Sequence, residues 1–208
     1  MKIVNLYPGS FASVCYLVTD DKKSEAYVID PSADPSVAKA RLLGELPPIK
    51  GILLTHAHFD HMLALEAWRR FTDAPVMVMA EDAEAFTDSY KNGYRYFFEE
   101  DLTFSPPDLF LGDGQSLPFG NERLTVIHTP GHTKGSCVFD SGEVLFTGDT
   151  VFDGGGYGRT DLYGGNADAL FESLRRLLLL WGERAVYPGH GNPTRLSLCR
   201  EHFKHLIV

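Results

Sequence analysis

The chain has 208 residues, of which 44% are hydrophobic and 23% are charged. This composition excludes a disordered chain, because such chains combine low hydrophobicity with high net charge. The formal net charge of −9 argues against a general nucleic-acid binder and against a protein that adheres to anionic membranes. We expect one domain over residues 1–208, since a chain of this length buries enough apolar surface to fold without disulfides.

The three cysteines, Cys15, Cys137 and Cys199, are widely spaced and form no CxxC pair. This pattern indicates neither a disulfide framework nor a thiolate zinc site, so each thiol is expected in the core. No apolar run approaches the roughly 18 residues of a membrane-spanning helix. No secretory signal is visible at the start of the chain. The sequence therefore predicts a protein of a reducing compartment, the cytoplasm.

Short β-branched and aromatic runs alternate with single helical segments along the chain. Strands are predicted over residues 2–7, 14–19, 26–30, 49–55, 76–80, 115–119, 123–128, 137–139, 143–147 and 185–187. A helix is predicted from Asp34, as its cap, to near Gly44, and others over 62–71, 166–181 and 194–206, with Asn166 as a second cap. This alternation indicates an α/β or mixed sheet-and-helix sandwich.

Residues 81–108 differ in character from the rest of the chain. They contain scattered acids and these aromatic residues: Phe86, Tyr90, Tyr94, Tyr96, Phe97, Phe98 and Phe104. We expect a helix followed by irregular chain. Two interpretations stay open: the aromatic side chains pack on the sheet, or the segment forms a lid, a pocket wall or a dimer surface.

Three of the eight histidines fall in one heptapeptide, Thr55–His61, with the pattern THxHxDH. His56 and His58 are two residues apart, so in extended chain they point to the same side. Asp60 and His61 follow where the predicted strand ends. Imidazole and carboxylate together are ligands for a borderline cation such as Zn²⁺.

Three later turns have the same architecture: a β-branched or aromatic run stops at a Gly or Pro turn that carries His132, Asp149 or His190. If these strand ends share one edge of the fold, the side chains converge in a single crevice. Seven ligands are too many for one tetrahedral zinc and fit two metals that share a carboxylate. The candidate ligands are His56, His58, Asp60, His61, His132, Asp149 and His190.

The combined pattern, THxHxDH…TPGHTxGS…TGDT…PGH, resembles that of the metallo-β-lactamase fold superfamily of binuclear metal hydrolases, over residues 55–191. The resemblance implies a four-layer αβ/βα sandwich with the metal site at one edge of the sheets. It also implies how the ligands divide: His56, His58 and His132 on one metal, Asp60, His61 and His190 on the other, and Asp149 bridging. Of the remaining histidines, His128 is expected to be structural or to support a ligand, and His202 and His205 to lie on a solvated helix face.

A further segment, residues 156–159, resembles the GxGR/K segment of glyoxalase II-type enzymes, the hydroxyacylglutathione hydrolases. In that subgroup the basic residue contacts the carboxylate end of glutathione, which implies a substrate-binding role for Arg159. The alternative is a structural ion pair with Asp153 or Asp161. Only 18 residues follow His190, so the C-terminal helical domain of glyoxalase II is not expected.

The sequence thus predicts an enzyme that hydrolyses an acyl-thioester with two divalent metal ions. Zinc is the preferred metal, and iron and manganese are the alternatives. A metal-bridging hydroxide would attack the carbonyl, with Asp60 and Asp149 as the catalytic carboxylates. A thiolate leaving group, with a pKa near ~8.5, needs little acid assistance. The expected partner is a small-molecule substrate, and neither nucleic acid nor membrane.

Several alternatives remain open, including a diiron electron-transfer module and a metal-loaded binding protein without turnover. Two others follow more directly from the residues. One is a lactone or other ester hydrolase on the same scaffold. The other is a mononuclear-iron persulfide dioxygenase, against which the retained His61 and His190 argue. A β-lactamase is disfavoured because no export signal is seen.

Overall fold

The computed structural model describes residues 1–7, 12–22, 24–42 and 45–206. Within these ranges, twelve strands form two six-stranded sheets. The first sheet contains, in spatial order, β1 (Lys2–Leu6), β2 (Cys15–Thr19), β3 (Ala26–Ile29), β4 (Ile49–Leu53), β5 (Val76–Met79) and β6 (Leu109–Leu111). Its first three strands are antiparallel, and β3 to β6 run parallel to one another.

The second sheet has the spatial order β12-β11-β10-β9-β8-β7. Its strands are β7 (Ser116–Phe119), β8 (Glu122–His128), β9 (Cys137–Asp140), β10 (Val144–Gly148), β11 (Ala185–Pro188) and β12 (Thr194–Arg195). All neighbours in it are antiparallel except β10 and β11, which are parallel.

Five α-helices lie among the described residues: α1 (Pro35–Leu42), α2 (Phe59–Met62), α3 (Leu65–Thr72), α4 (Ala167–Leu178) and α5 (Leu196–His202). Short 3₁₀ helices occupy Ala80–Phe86, Tyr94–Tyr96, Asp153–Gly155 and Lys204–Leu206. The predicted cap of α4 is present, since the side chain of Asn166 accepts a hydrogen bond from the backbone N–H of Ala169 at 3.0 Å. The predicted end of α1 near Gly44 lies outside the described residues.

Alternation along the strands explains how the sheets stack. In β2 every residue is buried, but Cys15 and Leu17 face one core while Tyr16 and Val18 face another. The core that contains Tyr16 lies between the two sheets, and the core that contains Leu17 receives Trp68 of α3. A third core joins the second sheet to α4 and α5. The layers are therefore helix, sheet, sheet, helix, which confirms the predicted αβ/βα sandwich.

The helix predicted over 62–71 is wrong as one element. The carbonyl of Asp60 accepts a hydrogen bond from the N–H of Ser13, and the N–H of Ala64 donates to the carbonyl of Pro31. The bond between Asp60 and Ala64 that would join α2 to α3 is therefore not made. Both competing partners come from distant parts of the chain, so local spacing gives no sign of the break.

Three other expectations also need correction. The strands β6 and β12 were not predicted, and Thr194 pairs with Val186 in β12 instead of starting the last helix. The helix expected within 81–108 is replaced by 3₁₀ turns and irregular chain. Side chains make hydrogen bonds there that replace those of a helix. Ser89 Oγ accepts from the N–H of Leu102, and the side-chain amide of Asn92 donates to the carbonyl of Leu102.

The three cysteines are buried free thiols, as predicted. In the part of the chain that the structure describes, we find no helix with the length and apolarity needed to cross a membrane.

Candidate metal centre

Four strands end at one edge of the sandwich, and the turns after them carry the candidate ligands. In the second sheet β8 and β10 are both antiparallel to β9, so they run in the same direction as each other and as β11. The first sheet meets this edge where the N–H of Cys137 donates to the carbonyl of Thr55 at 2.7 Å. A second link is the hydrogen bond of 2.7 Å from the N–H of Val14, just before β2, to the carbonyl of Gly189, just after β11. The turns after β4, β8, β10 and β11 therefore converge, as the sequence predicts.

One ligand group consists of His56, His58 and His132. Their ring nitrogens lie within 4.8 Å of one another. The Nε2 atoms of His56 and His132 are 3.2 Å apart, and the ring centroids of His58 and His132 are 4.5 Å apart. All three side chains are buried.

A second group consists of Asp60, His61 and His190, again with ligand atoms within 4.8 Å of one another. Asp60 Oδ2 lies 3.0 Å from His190 Nε2 and 3.9 Å from His61 Nε2. Asp60 and His190 remain partly accessible, whereas His61 is fully buried. This group therefore forms the more open side of the cluster.

Asp149 lies between the two groups. Its Oδ1 is 3.3 Å from His61 Nε2, and its Oδ2 is 3.5 Å from His132 Nε2 and 3.7 Å from His190 Nε2. One carboxylate thus faces both groups. Gly189 makes this approach possible, because a Cβ there would lie 2.7 Å from a ring carbon of His61.

Unpaired polar atoms show that this donor set suits a cation. His58 Nε2, both ring nitrogens of His61 and Asp149 Oδ1 are buried and make no hydrogen bond with any described residue. Such atoms are costly to bury unless a partner satisfies them. Imidazole nitrogens and carboxylate oxygens are ligands of zinc, iron and manganese, so the residues present fit divalent metal ions.

The electrostatics favour metal-binding protonation states in the first ligand group and at Asp149. In the second group, burial is outweighed by the neighbouring carboxylates, which raise the pKa of His61 and His190. Burial and the neighbouring His132 lower the pKa of His58 to about 3, and burial and His61 lower the pKa of His56 well below its usual value. Both imidazoles are therefore neutral near pH 7. Burial opposes the negative charge of Asp149, but His61 outweighs it and holds the pKa of that carboxyl well below its usual range.

Asp30, at the end of β3, is a site residue that the sequence reasoning missed. Its carboxylate accepts from the N–H and the hydroxyl of Thr55, both at 2.8 Å, and its Oδ2 lies 2.9 Å from His61 Nδ1. The contact at Nδ1 leaves Nε2 of His61 directed to Asp149 and Asp60. The signal was present in the sequence, since Asp30 ends an apolar strand as the predicted ligands do.

Asp82 is a second missed residue, and it is also buried. It accepts hydrogen bonds from the N–H of Ala57 at 3.0 Å, the hydroxyl of Thr133 at 2.7 Å and the N–H of Gly135 at 2.7 Å. It therefore ties the turn of His56 and His58 to the turn that carries His132. Its position among the scattered acids of 81–108 offered no signal.

Arg159 makes two kinds of contact. Its Nε and Nη2 donate to the two carboxylate oxygens of Asp161 at 2.7 and 2.6 Å, and its guanidinium carbon lies 5.7 Å from the ring centre of Phe97. Its backbone carbonyl accepts from His132 Nδ1 at 2.7 Å. Arg159 therefore forms an ion pair with Asp161, one of the two partners considered from sequence. Its side chain also borders the cavity described next. A substrate-binding role for Arg159 stays a prediction.

The other histidines lie outside the cluster. His128 Nε2 is 2.9 Å from the carbonyl oxygen of Lys134. Neither it nor His202 or His205 belongs to a potential ligand group among the residues described. His202 and His205 are exposed, as expected for a solvated helix face.

A cavity of about 430 Å³ opens above the two ligand groups. Candidate ligands form its floor, and Phe97 and Phe98 of the aromatic segment contribute to its wall. Other aromatic residues of that segment, Phe86 and Phe104, are buried in the core of the first sheet. Both interpretations of 81–108 therefore hold, for different residues: part packs on the sheet, and part is a pocket wall.

Comparison with known proteins agrees with this geometry. Residues 8–190 match the family model of the metallo-beta-lactamase superfamily. An uncharacterised protein of Mycobacterium leprae is 34% identical over 95% of this chain and 94% of its own length. In Bacillus subtilis, the "probable metallo-hydrolase YqgX" is 35% identical, covering 88% of this chain and 86% of its own. The "probable polyketide biosynthesis zinc-dependent hydrolase PksB" of the same species is 30% identical, covering 88% and 75%.

Three solved structures are similar along nearly the whole chain. The BLEG-1 B3 metallo-beta-lactamase is 32% identical with a TM-score of 0.89 and covers 100% of both chains. TTHA1623 in a di-iron-bound form is 34% identical, with a TM-score of 0.75 and coverage of 95% and 96%. ETHE1 from Myxococcus xanthus is 27% identical, with a TM-score of 0.74 and coverage of 99% and 89%. With the fold, the four converging turns and the family match in agreement, the chain belongs to the metallo-β-lactamase superfamily.

Proposed function

We propose that this protein is a binuclear metal-dependent hydrolase that cleaves an acyl-thioester, as glyoxalase II-like enzymes do. The observation that carries the proposal is the position of Asp149, whose two oxygens lie 3.3 to 3.7 Å from nitrogens of both ligand groups. A carboxylate between two such groups is suited to hold two cations at once. Family membership and the metallo-hydrolases among the relatives support the hydrolase class.

Seven side chains would hold the metals. His56, His58 and His132 would bind one ion, Asp60, His61 and His190 the other, and Asp149 both. Zinc is the first choice, supported by the zinc-dependent hydrolase among the relatives. Iron is the alternative, supported by the di-iron form of a similar structure. When bound, the cations supply Lewis acidity, which acidifies water and polarises a carbonyl oxygen.

The protein's own groups would orient the reactants. Asp60 borders the cavity and is partly accessible, so its carboxylate is placed to accept a hydrogen from the attacking water. Asp30 and Asp82 hold the turns that carry the ligands. Arg159, also at the cavity, would contact an anionic part of the substrate.

The residues that line the cavity indicate which leaving group the site can accommodate. Apart from the candidate ligands, the described lining residues include no Ser, Thr, Tyr, Cys or Lys side chain that would donate a proton to a departing amine or alkoxide. A thiolate, with a pKa near ~8.5, departs without such a donor. This supports a thioester over an unstrained amide.

The test is hydrolysis of thioesters, S-lactoylglutathione among them, by metal-loaded protein, with His132→Ala as the blank. We expect metal-dependent turnover that the variant lacks. Protein with two bound metals that cleaves no thioester would overturn the proposal.

Two observations favour specific alternatives, and the same preparation tests them. The similarity to BLEG-1 over both whole chains favours β-lactam cleavage, which nitrocefin would report. The ETHE1 neighbour is compatible with a mononuclear-iron persulfide dioxygenase, which oxygen consumption with a persulfide would report. A lactone substrate would distinguish the remaining ester hydrolases.

A further inference from the structure

The cavity above the ligand groups has a largely apolar wall. Its lining beyond the candidate ligands is dominated by five apolar side chains: Phe59, Phe97, Phe98, Phe152 and Leu162. The volume of about 430 Å³ lies within the range of pockets that bury small molecules. The space is therefore large enough for an apolar group well beyond the size of a methyl.

The polar side chains of the wall are already engaged. The amide of Asn92 donates to the carbonyl of Leu102 at 2.8 Å and accepts from the N–H of Tyr94 at 3.0 Å. The guanidinium of Arg159 is paired with Asp161 through Nε and Nη2, which leaves Nη1 for an anionic part of the substrate outside the acyl group. A substrate group with several hydrogen-bonding atoms would lose water in this cavity and find few replacement partners, which is costly. An apolar group loses nothing and gains from burial.

Phe97 and Phe98 are exposed large apolar side chains, at 55% and 42%. They are not loose, since both pack against Phe59, with ring centroids 6.2 and 6.0 Å away. Tyr94 stacks on Phe98 at 4.5 Å. Exposed apolar side chains held in a fixed arrangement beside a crevice are typical of a binding surface.

The position of Phe59 connects this wall to the reaction centre. Phe59 lies between His58 and Asp60 in the chain, and its own ring is buried. Asp60, Asp149, Phe97 and Phe98 line the same cavity, so a substrate whose carbonyl is held near the two carboxylates has the aromatic wall within the same space for its substituent.

We propose that the substrate is a thioester whose acyl part is a medium-length or aromatic apolar group, bound against Phe97 and Phe98. This inference rests on the proposed thioester hydrolase activity and adds the class of acyl group. A small hydroxylated acyl group would leave the aromatic wall uncovered.

The test compares acetyl and hexanoyl thioesters of one small neutral thiol, N-acetylcysteamine, with metal-loaded protein. Each buried methylene is worth about fourfold in kcat/KM, so four more methylenes should favour the hexanoyl substrate on the order of a hundredfold. Phe97→Ala and Phe98→Ala should each lower this hexanoyl-to-acetyl ratio by about tenfold. Phe110→Ala is the matched control, because Phe110 is equally exposed but lies on the edge strand β6, away from the cavity.

Binding of S-hexyl-N-acetylcysteamine and its S-methyl counterpart, measured by calorimetry, gives a readout that needs no turnover. Tighter binding of the hexyl thioether, weakened by Phe97→Ala, is the expected result. Equal kcat/KM for the two acyl groups, or a preference that neither Phe variant changes, would overturn the inference while leaving the thioesterase proposal intact. Failure to hydrolyse any thioester would overturn the proposed function. The thioether measurement would still show whether the cavity binds an apolar chain against Phe97.

Discussion

His132 Nδ1 donates a hydrogen bond of 2.7 Å to the backbone carbonyl oxygen of Arg159. A carbonyl only accepts, so a proton on Nδ1 points there, and Nε2 is the nitrogen left to offer a lone pair to a metal. Nε2 is the atom that faces His56 and Asp149. The GxGR segment, considered from sequence only for its basic side chain, therefore also orients a candidate ligand through its backbone.

Gly158→Ala should disturb this arrangement. A Cβ at Gly158 would lie 2.6 Å from His132 Nδ1 and closer still to the carbonyl oxygen of Asp149, so backbone would have to move. We expect metal affinity to fall by about 10- to 100-fold, as for other residues that orient ligands. Metal content after dialysis against a graded chelator measures this. Gly112→Ala is the control, since its nearest neighbour would be 3.9 Å away. Equal metal retention by the two variants would contradict the prediction.

His132→Ala should abolish turnover and lower the bound metal from about two equivalents to about one, because an imidazole is lost from the first ligand group. The fold should persist, as judged by circular dichroism. His128→Ala in the same turn removes an imidazole outside the cluster and should retain both metals. Wild-type turnover in His132→Ala would show that the ligand assignment is wrong.

Asp82→Asn replaces an acceptor oxygen by an amide that donates, at a buried position where Ala57, Thr133 and Gly135 all donate. At least one donor then loses its partner. The free energy of unfolding should fall by about 1–3 kcal/mol in metal-free protein, measured by denaturant titration. Glu81→Gln, a change at the exposed neighbouring residue, should have little effect. Unchanged stability of Asp82→Asn would show that the tie between the two turns is unimportant.

Asp161→Asn tests what Arg159 can do when its ion pair is weakened. If the guanidinium contacts an anionic part of the substrate, freeing it should raise kcat/KM for S-hexanoylglutathione by about three- to tenfold, and Arg159→Ala should lower it by a similar factor. The hexanoyl thioester of neutral N-acetylcysteamine should respond to neither change. Equal responses of the charged and neutral substrates would indicate that the pair with Asp161 is only structural.

The layers of the fold and the four ligand-bearing turns could be predicted because they depend on local pattern. Period-two burial, as at Cys15 to Val18, separates the faces of a strand, and a Gly or Pro turn after an apolar run indicates where that strand ends. The break between α2 and α3 could not be predicted, because it depends on Ser13 and Pro31. The strand β6 is only three residues long and pairs with β5 across about 30 intervening residues.

Residue type and spacing along the chain are sufficient to identify the candidate ligands and to predict that they follow strand ends. The folded protein adds three relationships: Asp30 reaches His61, Asp82 joins two ligand turns, and Phe97 and Phe98 line the cavity. These relationships join residues that are dozens of positions apart. They arise when the two sheets pack and bring their strand ends to one edge. The order of residues along the chain does not show which distant residues become neighbours there.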